Sequence, residues 1–582
     1  MGRRPELGAT SGASMGTRAA HPGRQAGREG QATGDLPLPP PGPEGRPGTR
    51  GAHAAGAGLA QGDPMRRRHS AGPLAGGVVD GMLLGVLAWA VVALTLLPAL
   101  GKPAEALFPT LLASLFAGGL VGPGLQAALR QRSPARRLAA PAARGRQRVV
   151  ILGGGFGGVA AARRFEQLLP WTPGLDVTLV SQGNSLLFTP MLAEVAAGSV
   201  GAANVSVPLR AACPRTRFRR AEVLGVDLDR QVVQLRSGGG ELEWLPYDHL
   251  VLAVGAVPNL RDLPGVAANA LTLKTLEDAR RLRDHVIGRL EQADQEPDPR
   301  ERRRWLTFVV AGGGFAGTEA VASVFDLVHS VLRYFPQVRP SEPRFVLVHP
   351  RERILPELGR RLAGYAHGKL EARGIELRLG VNVAAATADG VVLSDGGRLP
   401  ARTLVWAAGS RPSPLLAGLP LARHGGAVLV DPTLRVRATT NVWAVGDCAY
   451  VPDVERRGAP PCPPTAQHAV RQGKAAADNV VAAMTGRRPQ PFRYRALGFL
   501  VPLGHQSAAA ELRGMRFSGL PAWLLWRGLY LWKLPGPQKR LRVLLDWTVE
   551  LFFPRDIALT VGERRGTPDR AADHQGAGQP AA

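Results

Sequence analysis

The chain has 582 residues, enough to bury several cores and consistent with two to four domains. Its formal charge of +26 would ordinarily suggest nucleic acid. The arginine excess lies outside any nucleic-acid motif and flanks hydrophobic segments, so a lipid bilayer with an anionic surface is the expected partner. Three cysteines, Cys213, Cys448 and Cys462, have no close spacing, which argues against a disulfide framework or a metal centre and fits a reducing cytosol.

Residues 1–73 are rich in Gly, Pro, Arg and Ala and are expected to form a disordered extension; Met65, followed by three arginines, offers an alternative start. Residues 74–130 read as a transmembrane helical hairpin, with apolar runs at 74–100 and 106–129. Each run is long enough to cover a bilayer core of roughly 30 Å. Arg66 to Arg68 precede the pair, and Arg130, Arg132, Arg136 and Arg137 follow it, which places both ends and the catalytic part on the cytoplasmic side of the cell membrane. A cleaved signal peptide is the alternative for the first run. Residues 131–147 form a basic linker.

From Arg148 the texture becomes an α/β alternation. Strands are expected at 148–152, 176–180, 247–253, 305–311, 345–348, 403–407 and 442–445. A helix follows the first of them at 159–169, and another starts at Thr275, with Asp278 as its capping-box partner. The strand at 148–152 leads into Gly153-Gly154-Gly155-Phe156-Gly157-Gly158, and the strand at 305–311 into Gly312-Gly313-Gly314-Phe315-Ala316-Gly317. One such fingerprint is weak evidence. Two, each placed as strand, glycine turn and helix, give two sites where a helix N-terminus can hold a pyrophosphate. A protein holding two dinucleotides most economically moves electrons between them.

In the first fingerprint Gly153 makes the turn, Gly155 lets the backbone approach the pyrophosphate and Gly158 permits close packing, with FAD the expected cofactor. Ser181 stands where an acid would bind the adenosine ribose, and Gly446-Asp447 suits the carboxylate that holds a ribityl hydroxyl. From Leu520 the tail interleaves Trp523, Trp526, Tyr530, Trp532 and Trp547 with Arg527, Lys533, Lys539, Arg540 and Arg542. That pattern suits amphipathic helices in the membrane interface; the plainer reading is an ordinary domain helix.

Several of these motifs resemble type II NADH dehydrogenases in the right order. They are the first fingerprint, Leu187-Phe188-Thr189-Pro190-Met191-Leu192, Leu252-Ala253-Val254-Gly255, Gly317-Thr318-Glu319, Gly446-Asp447 and Pro464-Thr465-Ala466-Gln467-His468-Ala469. The resemblance covers about residues 148–560. It implies a single-chain NADH:quinone oxidoreductase without proton pumping. Pro190, Ala253, Gly255 and Gly409 are then cofactor-binding residues. Gly312, Gly314 and Gly317 lie by the nicotinamide cofactor, and Glu319 near the nicotinamide–flavin contact and the quinone pocket. Ala466 and Gln467 match a quinone-site signature. The family's second glutamine is here Arg471, with Gln472 beside it. Where an NADH-selective site shows an acid, this chain has His349-Pro350-Arg351, so NADPH use stays open, with His349 as either a cofactor contact or a mere strand end.

The expected architecture is α/β, with two dinucleotide-binding (Rossmann-like) domains, the second inserted in the first. FAD-binding parts span 148–300 and 403–490, an NAD(P)H-binding domain 301–402, a C-terminal membrane-associated region 491–562 and a disordered tail 563–582. The activity implied is hydride transfer from NAD(P)H to FAD and two electrons onward to a membrane quinone, with a homodimer left open. A reductase of a protein acceptor such as ferredoxin and a non-catalytic redox sensor are the alternatives. The stretch 186–198 lacks cysteine, which sets this chain apart from disulfide reductases.

Overall fold

A computed structural model describes residues 145–559 apart from 456, 457 and 459. The expected extension, the hairpin, most of the basic linker and the tail 563–582 lie outside the described residues. The chain opens with β1 (Gln147–Leu152), α1 (Phe156–Leu168), β2 (Leu175–Ser181) and α2 (Leu192–Ala196). Next come β3 (Arg217–Asp227), β4 (Val232–Ser237), β5 (Leu242–Pro246) and β6 (His249–Leu252). The middle holds β7 (Ala270–Thr272), α3 (Leu276–Gln295), β8 (Thr307–Ala311), α4 (Phe315–Val331) and β9 (Arg344–His349). It continues with α5 (Arg360–Glu371), β10 (Ile375–Leu379) and β11 (Thr403–Trp406). The last part contains β12 (Val442–Ala444), α6 (Ala466–Met484), β13 (Gly498–Pro502), β14 (Ala508–Leu512), β15 (Met515–Gly519), α7 (Leu520–Lys533) and α8 (Pro537–Phe552).

Two sheets organise these elements. The first has the order β12-β6-β1-β2-β3-β4-β5, parallel through β3 and antiparallel at its β4–β5 edge. The second has the order β7-β11-β8-β9-β10 and is parallel throughout. Central strands of such sheets are covered on both faces, which is why β1 ends in four buried apolar residues and β8 is buried along its whole length. Because β12 returns to pair with β6 in the first sheet, the second domain is an insertion in the first, as expected. An antiparallel ribbon of Ala256–Pro258 with Ser410–Pro412 joins the two crossings. The capping box of α3 is also formed, between Thr275 and Asp278.

The expected domain boundaries at 301 and 403 need correction. β11 hydrogen-bonds to β8, so residues 403–406 belong to the inserted sheet, and β7 begins that sheet well before residue 301. The strands at 247–253 and 403–407 read alike, each ending before a glycine, and only pairing tells them apart.

The C-terminal aromatic residues also differ from expectation. Trp523, Trp526 and Trp547 are buried in the core shared with the inserted domain rather than lying at a surface, and of these four tryptophans Trp532 alone is largely exposed. Arg527 lies over both Trp523 and Trp547, at 4.1 and 4.5 Å from the ring centroids. The apolar surface is a different set. Leu541, Leu545, Val549 and Phe552 are exposed at helical spacing along α8. Among the described residues, one helical stretch, Phe315–Tyr334, is long and apolar enough to cross a membrane; more than half of it is buried within the fold.

Helix α6 crosses α1 at glycine-sized distance. A Cβ on Gly473 would stand 2.2 Å from the carbonyl oxygen of Gly157. Overpacking of this kind costs about 1–3 kcal/mol. A Gly473→Ala variant is therefore expected to unfold at a lower temperature, read by circular dichroism on heating; an unchanged melting curve would contradict the contact.

Candidate functional site

Both fingerprints build the same cradle. Gly153 has φ +114°, and a Cβ there would lie 2.2 Å from the Ala253 carbonyl oxygen. A Cβ on Gly158 would lie 1.9 Å from the Gly153 carbonyl oxygen. Gly155, at the N-cap of α1, has nothing within 4 Å of its Cβ position, and α1 begins with no side-chain cap and no acid in its first turn. The second copy repeats this point by point. Gly312 has φ +110° under the Ala407 carbonyl, Gly317 abuts Gly312, and Gly314 faces open space at the uncapped start of α4. The first amides of a helix have no intrahelical acceptors and carry its positive end, so each open glycine leaves room for a pyrophosphate to reach them. The residues present fit two dinucleotides.

The strand ends below the cradles are not acidic. Ser181 closes β2 with its hydroxyl 2.7 Å from the Cβ position of Gly154. His349 closes β9 and is buried; its Nδ1 accepts a hydrogen bond from the Gly313 N–H at 3.0 Å. His349 thus braces the second glycine loop and is more than a strand end. Burial, and after it the charge of Arg351, holds its imidazolium form below the usual pKa, so the ring is neutral. A cleft at the ends of β8, β9 and β11, bordered by Arg261, Gly312, Pro350 and Trp406, opens beside it. Arg353 is turned back onto the Pro356 carbonyl, while Arg351 is exposed.

Gly446, with φ +75°, starts the turn that carries Asp447. Burial raises the Asp447 pKa and Lys274, 3.9 Å away, opposes that rise. Gln472, expected at the quinone, is buried instead, and its Oε1 accepts the Gly446 N–H at 2.8 Å. It secures the Asp447 turn from a helix face that points into the first domain. Gly255 and Gly409 both adopt positive φ where the chain crosses between domains.

Ala466 starts α6 behind the cap Thr465. The Gln467 side chain is held at both ends: Tyr494 donates to its Oε1 at 3.0 Å, and its Nε2 donates to the Gly498 carbonyl at 3.1 Å. Arg471 donates to the Gln467 carbonyl and lays its guanidinium 4.2 Å from the centre of the Tyr494 ring. Tyr494 was not singled out in the sequence, where it stands alone in a Pro- and Arg-rich segment. Cys213 and Cys448 are buried free thiols. Burial pushes the Cys448 thiol up to about 11 and the Cys213 thiol up to about 12, which leaves both as poor nucleophiles.

Glu319 lies past the first turn of α4, too deep for a simple dipole contact. Burial pushes its carboxyl up to about 8, with the charge of Glu194 the next cause. Glu194, on α2, is pushed up to about 7, again mainly by burial. Both line a cavity with Pro190, Trp526, Arg527 and Glu550. The sequence singled out Glu319 but neither Glu194 nor Glu550, whose burial depends on α7 and α8 folding over α2. Aromatic contacts lead from the first cradle to this place: Phe156 meets Phe188 at 6.0 Å, and Phe188 meets Tyr530 at 6.1 Å.

The open faces of Gly155 and Gly314 separate the two cradles experimentally. A Gly155→Leu variant should fold but purify colourless, while Gly314→Leu should purify yellow and fail to bleach with NADH. Visible absorbance before and after NADH addition reads both, and the reverse pattern would exchange the two assignments.

Residues 147–473 match the pyridine nucleotide-disulphide oxidoreductase family. The chain is 31% identical over 438 residues to the type II NADH:quinone oxidoreductase Ndh of Mycobacterium tuberculosis, a match covering 72% of this chain and 91% of that protein. It is 33% identical over 414 residues to the demethylphylloquinone reductase NdbB of Synechocystis, covering 69% of this chain and 96% of that one. Among solved structures, NDH2 from Plasmodium falciparum in complex with NADH superposes with a TM-score of 0.65 at 18% identity, covering 71% of this chain and 100% of that chain, a likeness of fold. With the paired cradles and without paired cysteines among the described residues, the chain belongs to the FAD-dependent type II NADH:quinone oxidoreductases.

Proposed function

We propose that this enzyme works attached to the cell membrane, on its cytoplasmic side, accepts NADPH as well as NADH, and delivers electrons to a quinone in the bilayer. The observation that carries the reading is the pair of matching cradles, each with one open glycine at an uncapped helix start. Bound FAD supplies the redox chemistry, taking hydride equivalents from the nicotinamide and passing electrons to the quinone. The protein's part is to position and to manage protons. Gly153 to Gly158, Ser181 and Asp447 would hold FAD, and Gly312 to Gly317 the nicotinamide cofactor. Glu319, kept protonated at neutral pH, offers a proton for the quinone oxygens. Gln467 and Arg471 border the quinone head, with the Gln467 amide fixed in direction by Tyr494.

Support for NADPH use is the absence of an acid at the end of β9 together with exposed Arg351 just beyond it. An acid there would repel a 2′-phosphate; Arg351 attracts one. Steady-state rates with both nucleotides on a short-chain quinone test this. Arg351→Glu should lower kcat/KM for NADPH about tenfold or more, a change of about 1.4 kcal/mol, and that for NADH far less. Wild type that oxidises neither nucleotide with any quinone would sink the whole reading.

Membrane attachment is supported by the exposed row Leu541, Leu545, Val549 and Phe552, with Trp532 and Phe553 also exposed and Arg542 near its start. An apolar stripe beside cations suits an interface with anionic lipid. A form beginning at residue 145, lacking the expected hairpin, should float with vesicles containing anionic lipid. Leu545→Glu combined with Phe552→Glu should abolish flotation; equal flotation of the two forms would remove this surface from the reading.

A further inference from the structure

The cavity beside Glu319 holds an unbalanced set of charges. Glu550 accepts hydrogen bonds from Arg555 at 2.6 Å, Ser199 at 2.8 Å and Arg527 at 3.3 Å. Arg527 also stands 3.9 Å from Glu194, whose Oε2 accepts the Trp547 indole N–H at 3.0 Å. Two guanidinium groups and three carboxyls, Glu550, Glu194 and Glu319, therefore line one cavity, and the guanidinium groups contact Glu550 and Glu194. Asp326, the remaining acid lining the cavity, has its own partner in Arg373. Tyr530 faces Glu319 from α7, and His505 is the exposed titratable group at the cavity's rim. Two cations balance two ionised carboxylates, so a third ionised carboxylate would be buried without a counter-charge. Several kcal/mol oppose that state, and a proton is retained instead.

Glu550 is the most tightly paired, and its pairing with Arg555 and Arg527 outweighs burial and keeps it ionised. The retained proton then belongs to Glu194 and Glu319 together. A second observation is that the cavity wall carries unmet hydrogen-bond donors. Trp526 Nε1, Arg527 Nε and Arg555 Nη1 are buried and have no protein acceptor, and Trp526 is only 1% exposed. Polar cavities with unmet donors take up water, which can carry protons between carboxyls. Ser323 and Asp326 follow Glu319 at i+4 and i+7 on one face of α4 and line the same space.

We propose that Glu194 is the proton carrier that reloads Glu319 from solvent through this cavity during quinone reduction. The inference rests on the quinone reading above. Reduction of a quinone by NADH consumes one solvent proton: the nicotinamide supplies a hydride, and the quinol needs two electrons and two protons. Glu319 gives that solvent-derived proton to a quinone oxygen and becomes a carboxylate. Both carboxyls are then ionised; Glu194 takes up a proton from the side of Asp326 and His505 and passes it to Glu319 through cavity water. Arg527 and Arg555 stabilise the charge while it sits on Glu194, and the net charge of the cluster changes by one during the cycle and returns.

The test uses the full chain with FAD bound. Glu194→Gln keeps an acceptor for the Trp547 indole, so the C-terminal helices should stay in place; flavin content and melting temperature verify this. NADH-driven flavin bleaching should proceed at the wild-type rate. Quinone turnover should fall about tenfold at alkaline pH, and its alkaline limb should move to lower pH, because removing the Glu194 charge removes one cause that holds the Glu319 proton in place. A structural role alone would lower the rate at every pH equally. Independently of turnover, infrared pH-difference spectra of the wild type should show a protonated carboxyl at neutral pH, with its band altered in both Glu194→Gln and Glu319→Gln. A Glu194→Gln variant with the wild-type pH profile and an unaltered band overturns the proposal. A wild type that bleaches with NADH yet reduces no quinone overturns the functional reading instead, and the infrared result still decides whether the proton is shared.

Discussion

Between the first turn of each fingerprint helix and the glycine that opens its loop there is no room for a methyl group. A Cβ on Gly158 or Gly317 would stand within 2 Å of a carbonyl oxygen, so both helices can approach their strands only as glycine permits. That approach aims the free amides of α1 and α4 at one open glycine each. It also fixes which strand ends lie beneath the loops, and hence why Ala253 and Ala407, both small, follow the neighbouring strands. The two sheets, the insertion and the crossing ribbon all serve to bring these two helix ends into one protein.

A second constraint acts on the far side of Glu319. Burying Arg527 costs hydration, and the fold offsets it with two indole faces and two carboxylates. The same burial makes the neighbouring acids hold a proton. Packing of the C-terminal helices is therefore inseparable from the protonation of a residue on the nucleotide-binding helix α4. The tryptophans that resembled membrane anchors form the wall of this compartment, and the exposed apolar row lies on the opposite face of α8.

Elements whose signal is local were legible in the sequence. The glycine loops, the capping box at Thr275 and the insertion of one dinucleotide domain in another all follow from motifs that carry their own geometry. The assignment of 403–406 to the wrong sheet shows the limit, because parallel strands of similar composition differ only in their partners. Gln472 shows another: its place next to Arg471 in the sequence suggested a shared site, but adjacent residues on a helix point about 100° apart. Glu194 carried no sequence signal at all, since a glutamate in a short helix reads as solvated until another helix covers it. The tail's cations and rings were read as one pattern, whereas the 3.6-residue period of α7 and α8 divides them between a buried face and an exposed one.

The entry and exit strands of the inserted domain, β7 and β11, are hydrogen-bonded neighbours. Once that domain has folded, its two ends are already held side by side, and the long excursion separating β6 from β12 shrinks to two short connections. Closing the outer sheet then costs about 1 kcal/mol less loop entropy than closing it around an unfolded insert. Assembly from the inside outward is thereby favoured: the first cradle needs β6, β12 and α6 in place, and these close most readily around an insert that is already folded.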